Sequence, residues 1–200
     1  MTMTTPDIDR RQLLQAAAAL TLAGSAAAEP AEPQPGPAMT APLPPTRTPG
    51  KPGDFDFLTV RWAIRNHKRR GGPAGAWDVF EGEATVHALL AGICSVEELR
   101  IPARQFSGMG LRLLDVARAQ WSDFWVNAAS GELGTPGLRG SFEHGVGVFE
   151  EQAEADGQPV LYRSVWDRIT PTGCRWQQAA SRDGGATWVL DWSMDWTRVA

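Results

Sequence analysis

The residues best suited to acid–base chemistry are four carboxylates, Glu81, Glu97, Glu98 and Asp123. Acid–base catalysis needs two such groups held toward one reacting centre, and no spacing among these four fixes that arrangement. A nucleophilic serine is expected in a Gly-x-Ser-x-Gly turn, which the sequence does not contain. An enzyme of the hydrolase or isomerase type is therefore kept only as an alternative, and no catalytic residue is assigned.

Histidine and cysteine are the usual ligands of zinc, and the chain has three histidines and two cysteines. His67, His87 and His144 are predicted at a strand end, at an outward position and in a turn, and none of these residues shows metal-ligand spacing. No metal and no cofactor is predicted, and haem is disfavoured. Cys94 and Cys174 either form one disulfide in an oxidising compartment or remain two buried thiols.

One turn motif lies near the end of the chain. Ser181, Asp183, Gly185 and Trp188 follow the Ser-x-Asp-x-Gly-x-Thr-Trp pattern of the Asp-box in sialidases and other propellers. In that motif the aspartate bonds to turn amides and the tryptophan packs beneath. The motif occurs once, whereas a propeller needs repeated blades. It therefore predicts a stabilised hairpin turn rather than sialidase activity.

The elements that position these residues are predicted to be strands. Trp188, Leu190, Trp192, Met194 and Trp196 alternate with smaller or polar residues, which indicates a half-buried strand whose indole face meets the core. Phe55–Asn66 is the candidate first strand, further alternating segments separated by turn signals follow it, and none shows convincing helical periodicity. Residues 54–200 are therefore predicted to form an all-β domain, an antiparallel up-and-down barrel of about 8–10 strands.

Four segments resemble successive blocks of a bacterial, DUF1579-like family of lipocalin-like, calycin-type barrels whose function is uncharacterised: DFDFLTVRW, WDVFEGEATVHALLAG, GSFEHGVGVF and WQQAASRDGGATWVLDWSMDWTR. The resemblance implies that Trp62 of the first strand lies at the closed end of the barrel, with Arg198 of the last strand packed over it. Val60 stands where the calycin pattern has a glycine. Stacking of an arginine on an indole is also expected on physical grounds, at about 0.5–2 kcal/mol.

The predicted function is the binding of a small apolar or amphipathic ligand inside the barrel. Nine tryptophans need either a deep core or a cavity, and indole walls with a few polar groups are typical of small-molecule pockets. The alternatives are a barrel that its indoles simply fill, with a structural role, and an enzyme using carboxylates at the barrel mouth. Strand parity assigns ten side chains to the lumen: Asp123, Trp125, Asn127, Ser164, Trp166, Trp176, Gln178, Trp192, Met194 and Trp196.

Charge disfavours some partners. The formal net charge of -4 argues against nucleic acid. A run of four basic residues from His67 to Arg70 is predicted to be a solvated strand end, with an anion-binding mouth as the alternative.

The first residues resemble an export signal. Arg10 and Arg11 precede a mildly apolar run that ends in small residues from Ala26 to Ala28. Residues 1–28 are therefore predicted to be a twin-arginine signal peptide, read by the twin-arginine export machinery and cleaved after Ala28 to give a periplasmic or secreted protein. The run is too short for a stable membrane span. Residues 29–53 are rich in proline and predicted to be an extended linker.

Overall fold

A computed structural model describes residues 48–72 and 74–199, whose regular structure is almost entirely β-strand. Ten antiparallel strands form a closed up-and-down barrel, in which each strand pairs with the next and the last pairs with the first. The predicted all-β barrel is confirmed. The strands are β1 (Val60–Arg69), β2 (Trp77–Leu89), β3 (Cys94–Ile101), β4 (Phe106–Asp115), β5 (Gln120–Asn127), β6 (Leu138–Glu143), β7 (Val146–Ala155), β8 (Gln158–Asp167), β9 (Gly173–Ser181) and β10 (Val189–Arg198).

One end of the barrel is plugged by the residues that lead into β1. A short 3-10 turn at Asp56–Leu58 lies across this end, and Phe55 and Leu58 are buried there. The Phe55 ring lies 4.9 Å from the ring of Trp121 and 5.0 Å from that of Phe142. The prediction of a strand from residue 55 is therefore wrong for residues 55–59. The opposite end, called here the loop end, carries the β1–β2, β3–β4, β5–β6, β7–β8 and β9–β10 connections.

Arg198 ties the plug to the last strand. It is the register partner of Trp62, and its guanidinium carbon lies 5.0 Å from the centroid of that indole. Arg198 also donates hydrogen bonds to the carbonyl oxygens of Phe57 at 3.0 Å and Thr59 at 3.3 Å. The predicted pair is thus confirmed. Val60 has a φ of 143°, a conformation that favours glycine, the residue of the calycin pattern at this position.

Residues 48–53, which the sequence assigns to the linker, lie against the plugged end. The Gly50 amide donates to the carbonyl of Ala119 at 2.7 Å, and the Gly53 amide donates to the carbonyl of Gly92 at 2.9 Å. Contacts with the barrel therefore begin before residue 54. The predicted signal peptide and the rest of the predicted linker lie outside the described residues.

Cys94 and Cys174 are two buried thiols without a disulfide, which is one of the two alternatives that the sequence allows. Burial raises the pKa of Cys174 to about 12. Within the described part of the chain, no helix has the length and hydropathy needed to cross a membrane.

The last strand departs from the predicted alternation at Asp191. Its pairing with β9 shifts register between Leu190 and Trp192, so a β-bulge turns Asp191 to the same side as Trp192. Leu190 is only partly buried, and Trp188 lies outside the barrel with the guanidinium carbon of Arg163 3.7 Å from its ring. The prediction of one continuous core face is therefore wrong for Trp188 and Leu190.

The predicted turn at Ser181–Trp188 is present. The Asp183 carboxylate accepts hydrogen bonds from the Thr187 hydroxyl at 2.5 Å, the Thr187 amide at 2.9 Å and the Ser181 hydroxyl at 2.7 Å. The Trp188 indole donates to the Gly185 carbonyl at 3.1 Å, and the Gly185 amide donates to the Ser181 hydroxyl at 2.8 Å. The bonds that the carboxylate accepts favour its ionised form and lower the pKa of Asp183 to about 2. The bonds from Thr187 contribute most to this shift.

Replacing this carboxylate should remove part of the acid sensitivity of the fold. A lowered pKa contributes stability that is complete above the ordinary value of 3.8 and is lost as the pH falls through about 2. The stability advantage of the wild type over Asp183→Asn should therefore shrink between about pH 4 and about pH 2, as measured by urea denaturation at each pH. Glu154→Gln, at an exposed position of β7, is the control for loss of a charge. A wild-type advantage that stays constant over this range contradicts the prediction.

Candidate functional site

The inner face of the barrel collects the side chains that parity assigns to the lumen. All ten lie on this face and are buried, with exposed fractions from 0% for Trp192 to 8% for Gln178. Period-two alternation places them there because every strand of a closed barrel shows one side to the interior. The structure fixes where these side chains point, and binding of a ligand by them stays a prediction.

Indoles fill much of this interior. Trp166 and Trp196 meet edge to face at a centroid distance of 5.4 Å, and Trp62 meets Trp196 at 5.9 Å. Trp176 and Trp192 pair in the same way at 5.8 Å. All five are almost fully buried. Indole packing therefore extends from the plug as far as Trp192 in the loop-end half of the barrel.

Arg112 lies within this core between two carboxylates. It donates a hydrogen bond to Glu97 through Nη2, and its Nε lies 3.5 Å from Oδ1 of Asp123. Its guanidinium carbon is 5.2 Å from the ring centroid of Trp166 and 5.3 Å from that of Phe55. Arg112 and Glu97 are both 0% exposed. One guanidinium is thus shared by two buried carboxylates.

The four carboxylates considered for acid–base chemistry do not converge. Glu81 and Glu98 are exposed on the outer face, where Glu98 lies 3.4 Å from Arg100. Glu97 and Asp123 do share a centre, and that centre is Arg112. The arrangement is that of an ion-pair network, and it assigns no catalytic role.

Lys68 corrects the prediction of a fully solvated basic strand end. It is 7% exposed and points into the barrel, with its ammonium nitrogen 3.8 Å from the ring centroid of Trp192. Asp191 lies in the same region because of the β-bulge. Burial raises the pKa of Asp191, and the charge of Lys68 and a hydrogen bond from Nε2 of Gln178 at 3.4 Å oppose that rise. The loop-end half of the lumen therefore holds opposite charges as well as indoles.

A cavity of about 270 Å³ lies at the loop end beside Trp125 and Asn127. The Trp125 ring stacks on Phe106 at a centroid distance of 6.2 Å. It also lies over Gly108, where a Cβ atom would be 2.1 Å from the ring, so glycine is needed there. The other wall is the β5–β6 connection, held by a hydrogen bond of 2.8 Å from the Gly134 amide to the Trp125 carbonyl. The residues lining the cavity from this connection are Ser130, Glu132, Leu133, Gly134 and Thr135.

A second, larger space does not involve the predicted lumen. It is a groove of about 570 Å³ beside the β7–β8 turn and the Ser181–Gly184 turn. None of the ten predicted residues lines it, so the cavity beside Trp125 is the one that matches the sequence prediction.

The histidines are dispersed. His67 lies 3.6 Å from Asp195 on the outer face, His87 is exposed, and His144 takes a φ of 50° in its turn. Among residues 48–72 and 74–199, no group of three or more His, Cys, Asp or Glu side chains is arranged to hold a metal ion.

The inward polar residues that were not anticipated from the sequence include Asn66, Lys68, Arg112 and Asp191. Alternation along β1 gives a signal for Asn66 and Lys68, which share the face of Trp62 and Ile64. Arg112 has a signal of another kind. Gly108, Gly110 and Arg112 share one face of β4, so two positions without side chains leave room around the arginine. The β4–β5 register then places Arg112 opposite Asp123.

Comparisons with known proteins identify no family for this chain. No family model matches the sequence, including that of the family which its segments resemble, and no curated protein matches it. A solved structure from Nostoc punctiforme, a protein of unknown function from the DUF3598 family, is similar over 72% of this chain and 49% of that chain, with a TM-score of 0.46 and 11% sequence identity. The chain thus spans about half the length of that protein.

Removing the shared guanidinium should destabilise the barrel strongly. Arg112→Met takes the cation away from two buried carboxylates, and such a change costs about 3–5 kcal/mol of unfolding free energy. Urea denaturation at neutral pH measures this cost. The triple variant Arg112→Met, Glu97→Gln, Asp123→Asn should recover much of it, because no buried charge remains.

A control variant separates burial from charge. Arg100→Met, on the adjacent strand β3, breaks exposed pairs with Glu83 and Glu98 and should cost less than about 1 kcal/mol. Equal losses in the Arg112 single and triple variants would show that the packing of Arg112, and not its charge, stabilises the core.

Proposed function

We propose that this chain is an exported barrel that binds a small amphipathic molecule at its loop end. The observation that carries the proposal is the cavity of about 270 Å³ bordered by Trp125 and Asn127. Its volume lies just below the usual range for ligand pockets, about 300–1,000 Å³. A ligand of modest size therefore fits best.

The lining of the cavity supports an amphipathic ligand. Trp125 and Leu133 supply apolar surface, and Asn127, Ser130 and Thr135 supply hydrogen-bonding groups. A flat apolar body would stack on the Trp125 ring, while its polar group would meet the amide or the hydroxyls. Apolar walls with a few placed polar groups are the usual composition of a small-molecule site.

One observation favours the alternative of a filled barrel. Six indoles, those of Trp62, Trp121, Trp166, Trp176, Trp192 and Trp196, are at most 2% exposed. Packed indoles therefore extend from the plug to Trp192 in the loop-end half, and the proposed site is confined to the cavity beside Trp125.

Dye binding tests the proposed site. A solvatochromic dye should bind the wild type saturably, and native mass spectrometry of protein purified from its own host should show a bound species. Trp125→Leu should weaken dye binding about tenfold, which corresponds to about 1.4 kcal/mol of lost stacking and burial. Ser130→Trp, which fills the cavity from an exposed position, should weaken it as much without disturbing the core.

Trp188→Leu is the matched control, because Trp188 lies outside the barrel. It should bind the dye as the wild type does. A wild type without bound species and without dye binding would rule out the proposed function. Equal weakening in the Trp125 and Trp188 variants would move the site elsewhere.

Export is the second part of the proposal. It is supported by the paired arginines, Arg10 and Arg11, ahead of the apolar run that ends at Ala28. Replacing both arginines by lysine should retain the protein in the cytoplasm, as measured by cell fractionation and immunoblotting. Unchanged recovery outside the cytoplasm contradicts a twin-arginine route.

A further inference from the structure

A row of uncharged side chains crosses the outer face of neighbouring strands from β6 to β10. Strand register aligns each of its members with the next. All of them point away from the lumen, because the residues beside them along each strand point inward. They are called the neutral row below: Ser141, Val148, Val165, Gln177 and Ser193.

The neutral row is buried although it lies on the outside of the barrel. Its exposed fractions run from 0% for Ser193 to 5% for Ser141. Val79, on the outer face of β2, is 42% exposed. The outer face of β6 to β10 therefore has the character of a surface on which a further segment of polypeptide docks.

Ion pairs border the neutral row on both sides. Toward the loop end, Nε of Arg163 donates a hydrogen bond to Glu150 at 2.6 Å. Toward the plug, Nε of Arg175 donates to Asp167 at 2.8 Å. Because these charges already pair with one another, the strip between them suits an uncharged occupant.

Two members of the neutral row carry polar groups that call for a partner. Nε2 of Gln177 and Oγ of Ser193 are buried and make no hydrogen bond among the described residues. Buried polar groups in folded proteins are normally hydrogen-bonded. A proline-rich segment suits these two groups, because an extended polyproline backbone makes no internal hydrogen bonds and leaves its carbonyl oxygens free to accept.

The described chain begins at one end of the neutral row. Thr48 is the first described residue, and its carbonyl accepts a hydrogen bond from the Ser141 hydroxyl at 2.5 Å. The preceding residues, 42–47, read PLPPTR, and their one charge is on Arg47, next to Thr48. Strands about 4.8 Å apart make the row about 19 Å long, which six residues of polyproline helix at about 3.1 Å each would span.

We infer that residues 42–47 cross the neutral row as a polyproline strap, whose carbonyl oxygens accept hydrogen bonds from Gln177 and Ser193. The predicted linker then has two parts, a spacer before residue 42 and a strap that belongs to the barrel. The strap joins β6 to β10 from the outside. This inference is independent of whether the cavity beside Trp125 binds a ligand.

Cysteine labelling of the full chain tests the strap. Val165→Cys places a thiol in the middle of the neutral row, and Val79→Cys places one on the exposed outer face of β2. A maleimide should label the first thiol at least about tenfold more slowly than the second, because the strap would shield it. Adding Leu43→Asp, Pro44→Gly and Pro45→Gly should bring the two rates within about threefold of each other, because a charge and flexible glycines oppose docking.

The matched control alters prolines outside the strap. Pro33→Gly, Pro35→Gly and Pro37→Gly lie before the six residues that span the row, so they should leave the labelling of Val165→Cys slow. Near-UV circular dichroism checks that each variant keeps the packed indoles of the wild type.

A disulfide distinguishes a strap within one chain from an exchange between two chains. Ala41→Cys with Ser193→Cys should form a disulfide within one chain, because the strap would end beside Ser193. Ala41→Cys with Glu98→Cys, on the exposed outer face of β3, should form none. Non-reducing electrophoresis and peptide mass spectrometry measure both.

Three outcomes overturn the inference. The first is rapid labelling of Val165→Cys in the otherwise unchanged chain. The second is labelling that stays slow when the strap is altered, because the bordering arginines then cover the neutral row. The third is a disulfide that joins two chains, because the neutral row then receives the segment of a second copy.

Discussion

Closure of the barrel between β1 and β10 is the constraint on which the rest of the structure depends. The two strands pair at seven register positions, so the sheet has no free edge, and every inward side chain must fit one enclosed space. Large rings therefore face glycines. A Cβ atom on Gly108 would lie 2.1 Å from the Trp125 ring, and one on Gly147 would lie 2.5 Å from the Phe142 ring. The space taken by the facing rings, and not a turn conformation, therefore explains why glycine occupies these two strand positions.

The same enclosure decides which charges the interior tolerates. The buried charge of Arg112 is balanced by two carboxylates. That of Lys68 is stabilised by the ring face of Trp192 and by the carboxylate of Asp191. Both cations lie against aromatic rings, where a charge gains from the ring quadrupole when water is excluded. They differ in depth: Arg112 is 0% exposed and belongs to the core, whereas Lys68 is 7% exposed and lies toward the loop end. Buried charges thus lie in both halves of the barrel, and only the cation toward the loop end retains some exposure.

Period-two alternation was sufficient to predict the barrel and to place all ten lumen side chains, because a strand in a closed barrel has only two sides. The alternation failed as a predictor at the β-bulge of β10, where one extra residue interrupts the pairing with β9. The bulge at Asp191 moves Trp188 and Leu190 off the core face, and nothing in the local pattern marks that position. It also failed at Phe55, whose alternating neighbours resemble a strand although they fold across the barrel end. Lys68 was misjudged because a run of four basic residues resembles a solvent-exposed surface, although alternation along β1 places it on the same face as Trp62 and Ile64.

The two ends of the barrel are built on different principles. At the plugged end, Phe55, Trp62 and Arg198 link the first and last strands, so residues there serve closure. At the loop end, the β5–β6 connection forms the cavity wall through few backbone bonds, and its side chains can change without opening the barrel.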